Sequence, residues 1–190
     1  AAFLPVAFRL ADAARAEARR YFRTAVPVDV KPDQSPVTLA DREAEAAMRR
    51  ILRRVVTDGT ASFAEVEGFF PIGKTATADK RSLTGGYNTN ARIASFIGAV
   101  PGYAPRYSVL ITYDNPQPAE GTHGYATAGW NAAPAFSRFV ERAAPLLGLA
   151  PVNESEALAS FVTGEPPSLR REAKLSRGYE GGAGKGGGAP

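Results

Sequence analysis

Side chains able to do chemistry are few in this 190-residue chain, which has one histidine and no cysteine. Without cysteine there are no thiolate nucleophiles, disulfides, iron–sulfur clusters or cysteine zinc sites. The lone histidine, His123, excludes multi-histidine metal centres and argues against a Ser-His-Asp triad. Set in Gly121-Thr122-His123-Gly124-Tyr125, it reads as a loop side chain in a Gly-rich connection. The most pointed polar run is Lys74-Thr75-Ala76-Thr77, which taken alone is a sheet strand with a surface lysine. Thr38 and Asp41 have the three-residue spacing of a capping box, and Asp58-Gly59 has the form of a helix C-terminus. Arg49, Arg50, Arg53 and Arg54 follow Glu43 and Glu45 by about one turn. That pattern is a solvated helix face rather than a nucleic-acid patch.

Lys and Arg outnumber Asp and Glu by 23 to 19, and the net charge of +4 is too mild to argue for nucleic acid. The whole surplus sits in residues 1–56, which hold 11 basic and 7 acidic side chains. With 44% of residues apolar the chain can bury a core, yet no window reaches the ~18 apolar residues of a membrane span.

The elements that must position these side chains follow from periodicity. Residues 3–23 predict an amphipathic helix through Leu4, Val6, Ala7, Leu10, Ala11 and Ala14. Three prolines between residues 26 and 37 predict an extended connector. A second helix should start at Thr38 and stop at Asp58-Gly59, with Met48, Ile51, Leu52 and Val55 as its apolar stripe. Alternation then predicts strands over Phe69–Thr77, Ile93–Val100 and Tyr107–Tyr113, joined as an antiparallel meander by turns at 83–90 and 101–105. Residues 127–148 predict a helix whose Trp130, Phe136, Phe139, Val140 and Leu146 cover the sheet, and a short helix is expected at 154–162. The Gly-rich end is expected to be disordered. The fold class is therefore α+β: a three-stranded antiparallel sheet under one C-terminal helix, preceded by two helices.

An ordered series then stands out: Val55-Val56-Thr57-Asp58-Gly59-Thr60, Gly73-Lys74-Thr75-Ala76-Thr77, Gly85-Gly86-Tyr87, Ala94-Ser95-Phe96-Ile97-Gly98, Pro105-Arg106-Tyr107 and Ala128-Gly129-Trp130. Over residues 50–150 the chain resembles the C-terminal part of the transpeptidase domain of class B penicillin-binding proteins, especially the division-specific peptidoglycan transpeptidases. The resemblance implies that Lys74 and Thr75 hold a substrate carboxylate and that the backbone N–H of Thr77 supplies half of an oxyanion hole. Its partners would be a peptidoglycan stem peptide or a β-lactam. The family carries glycine where Ala76 stands, so a methyl group should obstruct the approach of substrate backbone there. Acyl transfer of this type also needs Ser-x-x-Lys and a Ser-x-Asn element. No serine of this chain begins either one, so no catalytic residue is assigned and the chain alone is expected to be inactive.

Residues 1–53 resemble a different family, the N-terminus of inositol-monophosphatase and histidinol-phosphatase-like enzymes. The likeness rests on Leu10-Ala11-Asp12-Ala13, Tyr21-Phe22-Arg23, Val28-Asp29-Val30-Lys31 and Ser35-Pro36-Val37-Thr38-Leu39-Ala40-Asp41. It places Lys31, Thr38 and Asp41 near that family's metal site, but the acidic elements needed for Mg²⁺ are incomplete and neither metal nor cofactor is expected. The chain thus divides into a helical phosphatase-like segment at 1–53, a transpeptidase-like subdomain at 54–150 and a largely disordered tail at 151–190. The alternatives are a Mg²⁺-dependent phosphomonoesterase fragment and a non-catalytic module that binds a carboxylate or a partner. An open sheet edge makes self-association expected. The compartment is not assigned, because the transpeptidase family acts at the periplasmic face of the inner membrane and this chain shows neither export signal nor anchor.

Overall fold

The computed structural model describes residues 3–31, 33–82, 85–163 and 167. The first helix, α1, spans Phe3–Arg20 and ends in a turn where Arg23 takes a positive φ of 61°. The Pro-rich connector is not simply extended. Two three-residue strands, β1 (Val28–Val30) and β2 (Pro36–Thr38), pair antiparallel within it. The turn between them is closed by Lys31 N donating to Ser35 O at 2.9 Å and by Asp33 Oδ1 accepting from the Ser35 N–H at 3.0 Å. Pro27 precedes β1 and Pro36 opens β2, where the missing N–H costs no ladder bond.

The second helix, α2 (Leu39–Thr57), begins as expected. Thr38 Oγ1 accepts from Asp41 N, and Asp41 Oδ2 accepts from Thr38 N at 2.9 Å, which completes the capping box. Asp58 is the C-cap residue. Its arginines differ from the solvated face expected. Arg49 is only 6% exposed and donates to Tyr103 O at 2.8 Å, Arg50 donates to Phe161 O at 3.1 Å, and Arg53 donates to Pro71 O at 2.9 Å. Arg54 lies exposed against Asp58, and Arg50 stays exposed despite its bond to Phe161 O. Charge patterning along one helix shows which residues share a face but not which segments later cover it, and here two loop carbonyls and one from a later helix accept from three guanidinium groups. Burial holds Arg49 below its ordinary range, with Glu45 opposing the shift.

A one-turn 3-10 segment, Ser62–Ala64, leads into a three-stranded antiparallel meander of β3 (Ile72–Arg81), β4 (Tyr87–Val100) and β5 (Tyr107–Asp114), in the order β3-β4-β5. The first strand starts later than expected. Phe70 has φ +47°, and that left-handed kink together with Pro71 keeps Phe69 and Phe70 out of the ladder. Beyond Thr77 it continues through a register shift between Asp79 and Lys80. Residues 87–90, expected in a turn, lengthen β4 instead.

The third helix, α3 (Ala132–Ala143), is shorter than the 127–148 span, because Asn131 caps it through its side chain, which accepts from Ala132 N. Phe136 and Val140 enter the core, whereas Phe139 and Leu146 stay exposed. The rings of Phe136 and Phe96 meet edge to face at 4.9 Å, an arrangement the ring quadrupoles favour. Gly98 makes this contact available, since a Cβ there would lie 2.7 Å from the Phe136 ring.

A fourth helix, α4 (Glu154–Thr163), forms where a short helix is expected at 154–162, inside a span otherwise expected to be largely disordered. Asn153 Oδ1 accepts from Glu156 N at 2.9 Å at its start, and its Ala157 and Phe161 pack with Ile72 and Tyr103. Residues 164–166 and 168–190 of that tail lie outside the described ones. The boundary expected between 53 and 54 falls inside α2, which contacts α1 on one side and β3 on the other. Among the described residues, no helix is long and apolar enough to cross a membrane. The architecture is α+β, with α3 covering one sheet face and α2 and α4 covering the Ile72 end of the other.

Candidate functional site

β3 runs alongside the turn that follows α2, and it divides the residues of the Lys-Thr run between two clefts. Side chains alternate along a strand, so Thr75 and Thr77 share a face with Phe96 and α3, while Lys74 and Ala76 lie on the other. Thr75 and Thr77 line a cleft of about 370 Å³ together with Thr60, Phe63, Gly129 and Trp130. Lys74 lines a second cleft, of about 290 Å³, beside Arg9, Arg54 and Asp58. Gly59 and Thr60 border both. The structure therefore brings two of the three expected site residues together and places the third behind the strand. The methyl group of Ala76, expected to obstruct the cleft, points to the Lys74 side.

The hydroxyls of the first cleft are anchored but retain donor capacity. Thr75 Oγ1 lies 2.6 Å from Thr60 Oγ1, and Thr77 Oγ1 accepts from Ala128 N at 3.1 Å. A hydroxyl has one donor and two acceptor sites. One O–H of the Thr75–Thr60 pair and the O–H of Thr77 thus remain for a ligand acceptor. The opposite wall is fixed by close backbone approach: a Cβ on Gly129 would lie 2.4 Å from Thr60 O, which explains glycine beside Trp130.

Trp130 was expected in the core over the sheet, yet it stands in the cleft wall. Phe63 packs on it at 5.1 Å, Tyr125 stacks on it at 5.6 Å and 13°, and His123 meets it edge-on at 5.5 Å. His123 is a loop residue as expected, with φ +51°, and its ring gains this aromatic contact. The periodicity of 127–148 hid this role, because the residues before Asn131 are turns rather than helix. The available signal was Gly129, a residue without side chain next to a large ring.

The second cleft is lined by three cations, Arg9, Arg54 and Lys74, and one anion, Asp58, which accepts from Arg54 Nε at 3.3 Å. Burial holds Lys74 below the ordinary lysine range, and its Nζ donates to Thr75 O at 2.8 Å. Thr38 and Asp41 are bound to each other in the capping box, and Lys31 closes the β1–β2 turn through its backbone. Among the described residues no group of three or more His, Asp or Glu side chains could hold a metal ion.

The chain belongs to the penicillin binding protein transpeptidase domain family, whose model matches residues 10–141. The matched span takes in most of α1, the β1–β2 hairpin and α2, so these elements fall to the transpeptidase family, and the phosphatase likeness expected over residues 1–53 is not shown. It is 34% identical over 158 residues to the probable peptidoglycan D,D-transpeptidase FtsI of Caulobacter vibrioides, covering 79% of this chain and 26% of that protein. It is 35% identical over 120 residues to the probable peptidoglycan D,D-transpeptidase PenA of Neisseria meningitidis, covering 62% and 20%. The chain thus spans about a quarter or less of the length of these relatives. Penicillin binding protein 3 of Mycobacterium tuberculosis, solved with ampicillin, is similar in structure. Its TM-score is 0.50 at 26% identity, over 67% of this chain and 30% of that one.

Proposed function

We propose that this chain supplies the carboxylate-recognition strand of a peptidoglycan D,D-transpeptidase-like domain. Peptidoglycan stem peptides and β-lactams would bind it reversibly. The observation that carries this reading is the pairing of Thr75 and Thr77 in one cleft with hydroxyl donors left over, in a chain of this family. One O–H of the Thr60–Thr75 pair and the O–H of Thr77 suit the two oxygens of a carboxylate. Lys74, behind the strand, adds positive potential in a half-buried setting where screening is weaker than in bulk water. The backbone N–H of Thr77 is proposed as an oxyanion donor, as the family resemblance implies. Covalent acylation lies outside this chain's own repertoire, since none of its serines begins Ser-x-x-Lys or Ser-x-Asn. Self-association through the open edge at β5 is a separate part of the same proposal.

The test uses Trp130, the only tryptophan, as reporter. Titration with benzylpenicillin, and separately with a stem peptide, is expected to change its fluorescence saturably and to reverse on dilution. Thr75→Val and Lys74→Gln should each weaken binding at least about fivefold, the range for a hydrogen bond or charge removed from a partly exposed site. Absence of a saturable change, or equal affinity in both variants, would refute the proposal.

A further inference from the structure

The strand that carries Lys74, Thr75 and Thr77 enters the sheet through a strained turn. Phe70 holds φ +47°, a conformation that L side chains seldom adopt and that persists only where the surroundings enforce it. Pairing with β4 starts just after Pro71, at Ile72 opposite Ala99. Pro71 is fully buried and its carbonyl precedes the ladder, so it needs a donor from elsewhere. Arg53 of α2 supplies one: its Nη1 donates to Pro71 O at 2.9 Å.

Further contacts fix that guanidinium and the turn it holds. Arg53 Nη1 also donates to Glu65 Oε2, and a nitrogen with two hydrogens can make both bonds. Arg53 Cζ lies over the Phe70 ring, 5.5 Å from its centroid, within cation–π range. The Arg53 side chain is only 16% exposed, so water competes little for these contacts. From the other side, Gly102 N donates to Phe69 O at 3.1 Å, and a Cβ on Gly102 would come within 2.1 Å of Phe70 O. The turn is gripped between α2 and the β4–β5 loop.

The same helix sets the facing wall of the cleft. α2 passes through its C-cap Asp58 into Gly59-Thr60, and Thr60 Oγ1 lies 2.6 Å from Thr75 Oγ1. Arg53–Pro71 and Thr60–Thr75 are therefore interlocked links, spanning 18 and 15 residues, that tie one helix and its turn to one strand and its entry. With the first link cut, the turn at Phe70 can relax and the start of β3 can move away from Thr60. A movement of about 1 Å at Thr75 takes that hydroxyl pair out of hydrogen-bond range.

We infer that Arg53 is a positioning residue for the Lys74–Thr77 strand. Its guanidinium, held by Glu65, fixes Pro71 and with it the placement of Lys74 and Thr75 against the Gly59-Thr60 turn. The effect on binding rests on the reading of Lys74–Thr77 as the ligand strand; the positioning itself is measured without ligand.

Hydrogen–deuterium exchange of the full chain, resolved by peptide mass, tests the positioning. Arg53→Met removes the donor but keeps an unbranched stem, and should speed exchange over residues 69–77 at least about tenfold. Over β5 and α3 exchange should stay within about twofold of the wild type. Arg53→Lys keeps the charge and a donor but loses the planar group over Phe70, and should still exchange at least about threefold faster over 69–77. It decides the matter if Arg53→Met does not fold. Equal acceleration in β5 and α3, which a merely structural role would produce, or wild-type exchange in Arg53→Lys would overturn the inference. Trp130 emission then reads benzylpenicillin binding. Arg53→Lys should bind at least about threefold more weakly although no charge is lost, and unchanged affinity would likewise overturn the inference. A wild type without a saturable response would sink the carboxylate reading, while faster exchange confined to 69–77 would still uphold the role of Arg53.

Discussion

Substituting Thr77 by valine isolates one hydrogen bond that ties the site strand to its cleft wall. Thr77 Oγ1 accepts from Ala128 N at 3.1 Å, and Ala128 is 1% exposed, so that N–H has no water to replace the lost acceptor. Valine nearly reproduces the shape of threonine, and the cost is therefore that of an unpaired buried donor, about 1–3 kcal/mol. In a chain of this size each kcal/mol lowers the melting temperature by about 2–4 °C, which gives an expected fall of about 2–12 °C. Thr77→Ser keeps the oxygen and should recover most of it. Thr75→Val is the comparison, because its partner Thr60 Oγ1 at 2.6 Å lies where water can substitute. Its loss should stay under about 1 kcal/mol. Thermal melts by circular dichroism give the stability. Trp130 emission reports the wall directly and should shift to the red in Thr77→Val alone. A Thr77→Val chain that melts with the wild type, or a Thr75→Val chain that loses more, would refute this reading of the strand.

Two further outcomes follow from the core and the cap. Phe136→Ala removes a fully buried ring stacked edge-on against Phe96 and should cost about 3–5 kcal/mol in urea unfolding; a loss below 1 kcal/mol would show that the α3–sheet core is not as described. The N–H and hydroxyl of Thr38 hold the Asp41 carboxylate below its ordinary pKa. The stabilisation is therefore complete above the unfolded value, about 3.9, and is lost as pH falls through the lower folded value. Asp41→Asn should flatten that acid-side loss in urea unfolding followed between about pH 5 and pH 2, and an unchanged slope would contradict it.

What could be read from residue order alone was local. The capping box needs only Thr38 and Asp41 three apart, and the meander needs only alternation with short turns, so both stood clear. Contacts between distant segments did not. Arg49 looks solvent-facing beside Glu45 until the loop at Tyr103 closes over it, and three prolines hide the β1–β2 pair, whose turn depends on Asp33 and Ser35. At the site, the Lys74–Thr77 run was recognisable, yet its division across two clefts depends on where the Gly59-Thr60 turn and Gly129 come together. Trp130 was misplaced for the same reason: helical periodicity carries no sign that Asn131 will cap α3 and leave the ring in a turn. The N-terminal likeness to phosphatases drew on residues such as Thr38 and Asp41, which serve a helix cap here.

The proposed role of the Lys74–Thr77 strand is to receive β-lactams reversibly, in a chain none of whose serines begins Ser-x-x-Lys. Intact-mass spectrometry of the purified chain after prolonged incubation with excess benzylpenicillin tests it most directly. The expected spectrum is the unmodified 20.0 kDa species alongside a saturable, reversible Trp130 response. A stoichiometric adduct one penicillin heavier, labile to hydroxylamine, would contradict it.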